Sequence, residues 1–393
     1  MRPTPILFLS DAPELPGGLS RIGRDLATLV SSIPEYRVGY LGRGGVGSRQ
    51  FPFQQYGFPE SAQWGEMHLE HVWSDFAGDE KGIVFTIWDP SRLLWFARPE
   101  FVQDANLKQF LTSGRFRRWG YFPIDALGPG GKLSNELAAV LQGYDRRLFY
   151  TRFGRDASQR TLGVEDDWIP HGIKLETWQP RDKVAGRMSL GIGKNKRLVG
   201  VVMTNQERKD WGLAMTTFSV LAKRDPKWHF WCHTDLLMRA WSIPALIQDL
   251  GLNGRVTVTQ YMTDEELSYA YSACDLTILP SLGEGFGYPI VESLACGVPC
   301  ITGDYGGGAE LVPNSEWKVA PVAWRLETPY NCLRPVYNPT TWVDWIENFF
   351  RCECEYQTRE MVSFLDWHTA LWPSVWKKWF DKGASPFRNP KSQ

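Results

Sequence analysis

The chain contains 393 residues, too many for one ordinary core, and this length predicts about two to three domains. Hydrophobic residues make up 43% and charged residues 22%, as in typical globular proteins, and a net charge of −1 excludes a general attraction to nucleic acid or to an anionic membrane. No apolar run approaches the roughly 20 residues that a helix needs to cross a bilayer.

The first half of the sequence alternates short β-like runs with helical patterns, which is typical of a parallel sheet built from βαβ units. The apolar run at the N-terminus is short, so it indicates a first strand and not a signal peptide. Helices are predicted at Ser20–Val30 and Leu133–Leu141. The predicted strands are Ile6–Leu9, Tyr36–Leu41, Ile83–Ile87, Trp119–Phe122 and Arg147–Tyr150.

A G-x-G-x-x-G pattern occurs at Gly42, Gly44 and Gly47, after the second predicted strand. In a dinucleotide-binding unit this pattern opens a helix and is followed by an acidic residue about 20 positions on. Here it continues into SRQFPFQQYGFPE, which has no helical period. The pattern is therefore interpreted as part of a flexible loop.

The second half repeats the alternation after the turn-rich segment 169–183, so two doubly wound α/β domains are expected, with ligand held at the strand C-termini. We predict an N-terminal Rossmann-like domain at 1–175 and a second at 176–362. Residues 363–393 are predicted to form a helix and a tail. The predicted strands are Arg197–Met203, Trp228–Cys232, Arg255–Thr259 and Leu276–Leu279, and the helices are Leu213–Lys223, Ile243–Leu250 and Asp264–Ala273.

Residues 279–312 carry the most informative pattern of the chain. They are predicted to form a strand, a glycine-rich loop, a helix from near Pro289, a second strand and a second glycine-rich loop. Glu284 and Glu292 bracket the first loop and the helix, with seven residues between them. Free amides at a helix start suit an anion, and carboxylates accept hydrogen bonds from hydroxyl pairs. The pattern therefore favours a phosphate-bearing, polyhydroxylated ligand.

This segment resembles the donor-binding signature of the retaining GT-B glycosyltransferases, most closely family 4. The likeness lies in the pair Glu284 and Glu292, in ACGVPCI at 295–301 and in GGGAELV at 306–312. The resemblance implies a GT-B fold, in which two Rossmann-like domains face a central cleft and a C-terminal helix returns to the N-terminal domain. It covers Asn205–Val312 most closely and the N-terminal half more loosely.

The resemblance also implies roles for individual residues. Lys209 matches the family's phosphate-binding lysine, whereas Thr204 stands where the family has an arginine, and Arg208 is the candidate to supply that charge. Asp125 stands where the family often has a histidine near the donor sugar. The candidate catalytic residues are Glu284, Lys209, Arg208 and Asp125. The candidate donor-binding residues are Gly17, Gly18, Asn205, Tyr261, Gly285, Phe286, Gly287, Glu292 and Gly307.

The implied activity is metal-independent, retaining transfer of a hexosyl or pentosyl group from a nucleotide diphosphate sugar, of UDP or GDP type, to an acceptor hydroxyl. No further cofactor is expected. The acceptor stays open between a glycan, a small molecule and a hydroxymethylated base in DNA. Arginines interleaved with tryptophans in the first half give the last some support, but core tryptophans and solvated arginines account for the same pattern, and the net charge gives DNA no support. A GT-B-fold sugar-nucleotide epimerase or hydrolase, or a non-catalytic sugar-nucleotide-binding protein, are the alternatives.

The seven cysteines form an odd set without paired metal-ligand spacing, and most lie in apolar segments. Reduced thiols and a cytoplasmic location are therefore expected, without integral membrane contact. The oligomeric state does not follow from the sequence.

Overall fold

The computed structural model describes residues 2–236, 240–328, 331–352, 356–367 and 371–382. The chain divides into two compact units. Unit 1 contains the chain up to His171, the short piece around Cys332 and the chain from Pro373. Unit 2 contains Gly172–Glu327 and the chain from Leu333 to 372. The domain limits expected from the sequence remain predictions, and the expected tail beyond residue 382 lies outside the described residues.

Unit 1 is built on a seven-stranded parallel sheet with the strand order β3-β2-β1-β4-β5-β6-β7. The strands are β1 Thr4–Asp11, β2 Tyr36–Arg43, β3 Gln54–Phe58, β4 Gly82–Thr86, β5 Phe116–Phe122, β6 Arg146–Phe149 and β7 Asp167–Trp168. The helices are α1 Gly18–Ser31, α2 Leu69–Ala77, α3 Leu94–Ala97, α4 Ala105–Thr112, α5 Asn135–Gln142 and α6 Arg152–Leu162. The strand order reverses between β1 and β4, as in doubly wound folds.

One expectation for unit 1 is wrong. Part of the segment interpreted as a flexible loop forms β3, which pairs in parallel with β2 from Gly39–Gln54 to Arg43–Phe58. The strand stands at the edge of the sheet, and most of its residues are partly or fully exposed. Its sequence QQYGF therefore lacks the apolar run that identified the buried strands.

Tryptophans form much of the unit 1 core. Trp73 and Trp88 are fully buried between β-strands and helices, and Trp119 on β5 lies 4% exposed. The last helix, α15 Leu371–Lys382, adds Trp376 and Trp379 beside Trp119, apart from the cluster that contains Trp73 and Trp88. Trp379 contacts the Trp119 ring with centroids 5.4 Å apart. The expected return of a C-terminal helix to the first domain is thereby confirmed.

Unit 2 is built on a six-stranded parallel sheet with the strand order β10-β9-β8-β11-β12-β13, beside a two-stranded sheet β14-β15. Its strands are β8 Arg197–Val202, β9 Trp228–His233, β10 Val256–Thr259, β11 Leu276–Leu279, β12 Cys300–Gly303, β13 Lys318–Val319, β14 Ala323–Glu327 and β15 Cys332–Val336. Its helices are α7 Lys183–Ser189, α8 Trp211–Arg224, α9 Ile243–Asp249, α10 Asp264–Ala273, α11 Tyr288–Ala295, α12 Gly306–Ala309, α13 Pro339–Arg351 and α14 Thr358–Met361.

The strand order of unit 2 reverses between β8 and β11. Ligands of such sheets bind outside the carboxyl ends of the strands at this point. The second glycine-rich segment, expected as a loop, forms the short helix α12. Two parallel Rossmann-like sheets in succession confirm the expected α/β fold class. Within the described residues, no helix is long and apolar enough to cross a membrane.

Candidate functional site

Two loops meet at the point where the strand order of unit 2 reverses. The loop after β8 carries Arg208 and Lys209, and the loop after β11 carries Glu284. Backbone hydrogen bonds join the loops, since the Leu282 amide donates to the Arg208 carbonyl at 2.7 Å. The Ser281 hydroxyl donates to the same carbonyl at 3.2 Å. The two loops therefore hold their charged side chains in one place.

Glu284 is the centre of a small buried ion-pair cluster. Its carboxylate accepts a short hydrogen bond from the Lys209 ammonium group, and both side chains are less than a tenth exposed. Arg208 lies beside them, with its Nη1 atom 3.3 Å from Glu284 Oε2 and 2.7 Å from the Gly283 carbonyl oxygen. Arg208 is the most exposed of the three, with 29% of its side chain open to solvent. Two cations and one anion leave a net positive charge at this edge.

These charges control the protonation of Glu284. Burial acts to raise the pKa of its carboxyl, but the charges of Lys209 and Arg208 and the hydrogen bonds from Lys209 and Ser281 outweigh it. The pKa falls from 4.5 to about 2. Glu284 is therefore a carboxylate at neutral pH, which can accept hydrogen bonds but cannot donate a proton.

Glu292 lies on α11 and is 4% exposed. Its Oε2 atom accepts a hydrogen bond of 2.9 Å from the Tyr271 hydroxyl on α10. Tyr271 is in turn held between Trp178 and Trp231, whose ring centroids lie 5.9 and 5.7 Å from its own. The carboxylate of Glu292 is thus oriented by a fixed phenol.

The glycine-rich segments place backbone close to Glu284. Gly287 caps α11 with φ at 105°, which a residue with a side chain rarely adopts, and Gly285 and the buried Phe286 precede it. On the other side, the Gly307 amide donates to the Glu284 carbonyl oxygen at 2.8 Å. Helix α12 therefore packs directly on the loop that carries the carboxylate.

The other two predicted donor-binding residues of unit 2 differ in exposure. Asn205 is fully buried, and its side-chain amide exchanges two hydrogen bonds with the backbone of Trp241, at 2.8 and 2.9 Å. It holds the segment around Trp241 in place. Tyr261 is 85% exposed and has a φ of 54°, a strained conformation for a non-glycine residue. Such strain is concentrated at functional sites.

The remaining predicted site residues belong to unit 1. Gly17 and Gly18 follow β1 and begin α1, where both are exposed. Asp125 follows β5 and is partly buried. Asp89 follows the neighbouring strand β4; burial and then the charge of Asp125 raise the pKa of the Asp89 carboxyl. Asp125 therefore belongs to a pair of carboxyl groups at one edge of the unit 1 sheet.

Sequence reasoning missed several residues that shape this site. Tyr271 orients the Glu292 carboxylate, Ser281 joins the Glu284 loop to the Arg208 carbonyl oxygen, and Asp210 adopts a φ of 48° where it caps α8. The N-cap role of Asp210 had a sequence signal, because an aspartate three residues before an apolar helical run is a common cap. The partners of the carboxylates had none. Among the described residues, no group of three or more His, Cys, Asp or Glu could hold a metal ion.

Residues 187–324 match the family model described as glycosyl transferases group 1. The D-inositol 3-phosphate glycosyltransferase of Rhodococcus jostii is 28% identical over 201 residues, 49% of this chain and 44% of the enzyme. The enzyme of the same name from Nocardia farcinica is 30% identical over 147 residues, 36% of this chain and 33% of the enzyme. The chain therefore aligns with less than half the length of these curated relatives.

Solved structures extend the likeness to the whole fold. The sucrose-phosphate synthase of Thermosynechococcus elongatus is 16% identical, with a TM-score of 0.71 that covers 96% of this chain and 98% of that one. HepE of Anabaena, solved with UDP and glucose, is 18% identical, with a TM-score of 0.64 over 92% of this chain and 93% of that one. Residues 187–324 therefore carry the similarity to the glycosyl transferases group 1, and the two-sheet architecture of the chain is the GT-B fold.

Proposed function

We propose that the chain is a retaining glycosyltransferase, which transfers a sugar from a nucleoside diphosphate sugar to an acceptor hydroxyl. The observation that carries the proposal is the buried cluster of Glu284, Lys209 and Arg208 at the reversal point of the unit 2 sheet. Two cations there match a diphosphate, and a carboxylate that is ionised at neutral pH matches sugar hydroxyls.

The cations have the main electrostatic role in this proposal. As the bond between the sugar and the diphosphate breaks, negative charge grows on the leaving oxygen, and Lys209 and Arg208 stabilise it. Backbone amides at the start of α11 add to this effect, whereas the Gly307 amide holds the Glu284 loop in place. The leaving phosphate oxygen accepts the proton of the acceptor hydroxyl while the new glycosidic bond forms on the same face of the sugar. The anomeric configuration is thereby retained.

The two carboxylates position the donor. Glu284 accepts hydrogen bonds from hydroxyl groups of the transferred sugar, close to the reacting carbon. Glu292, oriented by Tyr271, accepts hydrogen bonds from the ribose diol. Asn205 and the strained, exposed Tyr261 border the nucleobase. The donor nucleotide is of the UDP or GDP type, and the HepE structures with UDP favour UDP.

The acceptor lies with unit 1. Asp125 orients its hydroxyl group, and Gly17 and Gly18 bring exposed backbone amides to the N-terminus of α1. Transfer proceeds without a divalent metal, because Lys209 and Arg208 supply the positive charge that a metal supplies elsewhere. A glycan, a small molecule and a hydroxymethylated base in DNA all remain candidate acceptors. A cytoplasmic location is part of the same proposal.

The first test is a mass-spectrometric screen of UDP- and GDP-sugars against acceptor pools, with release of the free nucleotide as the readout. Transfer that needs an acceptor supports the proposal. Donor turnover without an acceptor indicates an epimerase or hydrolase instead, and donor binding without turnover indicates a binding protein. The anomeric configuration of the product, read by NMR, tests retention, and addition of EDTA tests metal independence.

Site-directed variants test the residues. Glu284→Gln and Lys209→Ala should reduce kcat/KM by at least about a hundredfold, since each removes charge that acts on the transition state. Both variants disturb a buried ion pair, so Arg208→Ala, at a more exposed side chain, serves as the variant that is expected to fold normally. Lys108→Ala, at an exposed lysine of unit 1, is the matched control. Near-normal turnover of Lys209→Ala would show that its assigned role is wrong.

A further inference from the structure

The edge of the unit 2 sheet where its strands begin carries a concentration of basic residues. β8, β9 and β10 are neighbours in the sheet. Lys196, Lys227 and Arg255 each directly precede one of these strands. Arg197 and Trp228 are register partners, so Lys196 and Lys227 lead side by side into adjacent strands. The Glu284 loop follows the opposite ends of the strands in this sheet.

The segments at this edge are 182–197, 223–228, 249–255 and 274–275, and we call them the basic edge. Together they contain nine basic and four acidic residues, an excess of five positive charges in a chain whose net charge is −1. The excess is therefore local. A concentration of this kind attracts anionic partners even though the chain as a whole does not.

The arginines of the basic edge are engaged within the protein. Arg187 donates to the Ala273 carbonyl oxygen at 3.0 Å, and Arg197 pairs with Asp225 at 3.1 Å. These contacts connect the segments of the basic edge to one another.

The lysines differ. Lys194, Lys223 and Lys227 are exposed, and none of them makes a side-chain hydrogen bond or ion pair with any residue that the structure describes. The charges open to a partner are thus lysine ammonium groups, which are point charges on flexible stems and lack the planar fork of arginine.

Helix α7 adds apolar surface to this edge. Val184 is 54% exposed and Met188 is 76% exposed, and their spacing of four residues places them on one side of the helix. Lys183, on the same helix, pairs with Asp275 at 2.6 Å just before β11, which holds α7 at the start of the strands. Exposed apolar side chains surrounded by lysines are typical of surfaces that rest on a lipid bilayer.

A cavity of about 510 Å³ opens at the same edge, beside Lys183 and Asp275. Its aromatic lining residues are Phe349, Phe350 and Tyr356. The Arg197 guanidinium lies 6.0 Å from the centroid of the Phe350 ring, so this hollow adjoins the basic residues. The surface therefore combines positive charge, exposed apolar side chains and an aromatic hollow.

We propose that the basic edge, with α7, docks the chain onto an anionic phospholipid bilayer. Lys194, Lys223 and Lys227 lie among the headgroups, and Val184 and Met188 enter the interface. Nucleic acid offers the same negative charge but no apolar medium. Binding to it would therefore not bury Val184 and Met188, and their exposure favours the bilayer. The proposal does not depend on the nucleotide-sugar activity, because the Glu284 loop lies at the other end of the strands.

The experiment is co-sedimentation of the full chain with vesicles of phosphatidylcholine alone and of phosphatidylcholine with phosphatidylglycerol in equal parts. We expect binding to the anionic vesicles only, and weaker binding at 0.5 M salt than at 0.05 M, values chosen to lie on either side of physiological ionic strength, about 0.15 M. The triple variant K194E/K223E/K227E should bind about a hundredfold more weakly. Donor binding should be unchanged.

The matched control is K81E/K108E/K132E, which reverses three exposed lysines of unit 1. It should bind anionic vesicles as the unaltered chain does. The apolar part is tested by V184S/M188S, which should lower the fraction bound that persists at high salt. Circular dichroism melting checks that each variant folds.

Three results would overturn the proposal. The first is that the unaltered chain does not co-sediment with anionic vesicles at low salt. The second is equal loss of binding in both triple variants, which would indicate a diffuse charge effect. The third is binding of a 30-base-pair DNA duplex, a length chosen to exceed the span of the basic edge, that depends on the same lysines while vesicles are not bound.

Discussion

Glu284 is a buried carboxylate whose ionisation depends on two neighbours, Lys209 and Arg208. Its folded-state pKa of about 2 lies below the ordinary 4.5, so the folded chain binds this proton less readily than the unfolded chain. The stabilisation is therefore fully present above pH 4.5 and is lost as the pH falls toward 2. A shift of this size corresponds to about 3 kcal/mol.

The first prediction follows from this linkage. In Glu284→Gln the unfolding free energy should fall less between pH 4.5 and pH 2 than in the unaltered chain, by about 3 kcal/mol. At pH 7 the same variant should be less stable, since it leaves Lys209 buried without its anion. Hydrogen exchange in β8 and β11 of unit 2, followed from pH 2 to pH 7, measures both effects. Glu136→Gln, at an exposed position, should show the same dependence of unfolding free energy on pH as the unaltered chain. The same pH dependence in Glu284→Gln, Glu136→Gln and the unaltered chain would contradict the low pKa assigned to Glu284.

Tyr271 is a positioning residue, because it acts on the donor through the Glu292 carboxylate. It donates its hydroxyl hydrogen to Glu292 and lies fully buried between two tryptophans. Burial and the adjacent Glu292 carboxylate raise the pKa of Tyr271 well above its ordinary value, so the phenol stays a donor at every working pH.

The second prediction is that Tyr271→Phe raises the donor KM about tenfold with a smaller change in kcat. Loss of one hydrogen bond to a charged group corresponds to about 1.5–3 kcal/mol, and here the loss affects donor positioning. Steady-state kinetics with the donor found in the screen provides the measurement. Tyr269→Phe, a partly exposed tyrosine on the same helix, is the control. A purely structural role for Tyr271 would lower the melting temperature and leave KM unchanged.

Among the elements, buried strands were the easiest to predict from the sequence. β11 was predicted at Leu276–Leu279, the bounds it has in the structure, because four fully buried apolar and β-branched residues stand between turn signals. The edge strand β3 was missed because its exposed, polar sequence has no such run. Helix α12 was missed because three glycines in a row have poor helix propensity. Tertiary contacts, such as the bond from the Gly307 amide to Glu284, hold it.

The pairing of side chains was harder to predict than the position of elements. The pattern at 279–312 identified Glu284 and Glu292 as neighbours of a ligand, and this role remains a prediction. The pairing of Glu284 with Lys209 joins residues 75 positions apart, and that of Tyr271 with Glu292 joins residues 21 apart. Lys209 and Glu284 come together only because β8 and β11 are neighbours in the sheet. The periodicity within a segment does not contain that information.

The third prediction concerns the contact between α12 and the Glu284 loop. Gly306 has a φ of 79°, and a Cβ atom there would lie 3.2 Å from both the backbone nitrogen and the backbone oxygen of Glu284. Gly306→Ala should therefore displace the Glu284 loop and lower kcat/KM about tenfold or more. Gly163→Ala is the matched control, because φ there is 69° and nothing lies within 4 Å of the added atom. It should carry the conformational cost, about 1–2 kcal/mol, with full activity.

At the scale of the molecule, the chain forms two cores, and its last helix, α15, packs into the core of unit 1. Trp379 on α15 lies 5.9 Å from the Phe85 ring and 5.4 Å from the Trp119 ring, both on strands of unit 1. The Arg146 guanidinium lies 3.8 Å from the Trp379 ring centroid and donates to the Trp379 carbonyl oxygen at 2.9 Å. Burial lowers the pKa of Arg146 to about 10, so it keeps its charge at neutral pH. The last helix is therefore part of the core of unit 1.

The fourth prediction is that Trp379→Ala destabilises unit 1 by about 3–5 kcal/mol, the usual cost of removing a buried tryptophan from a core. Unit 2 has its own sheet and core, so its stability and its donor affinity should not change. A single melting curve cannot separate the units, because a chain of two domains need not unfold in one step. Hydrogen exchange read by mass spectrometry can, since it reports β1 and β5 separately from β8 and β11. Phe101→Ala, which truncates a 58% exposed ring of unit 1, should leave all four strands protected. Equal loss of protection in β8 and β11 of Trp379→Ala would mean that the two cores unfold together and that α15 stabilises the whole chain.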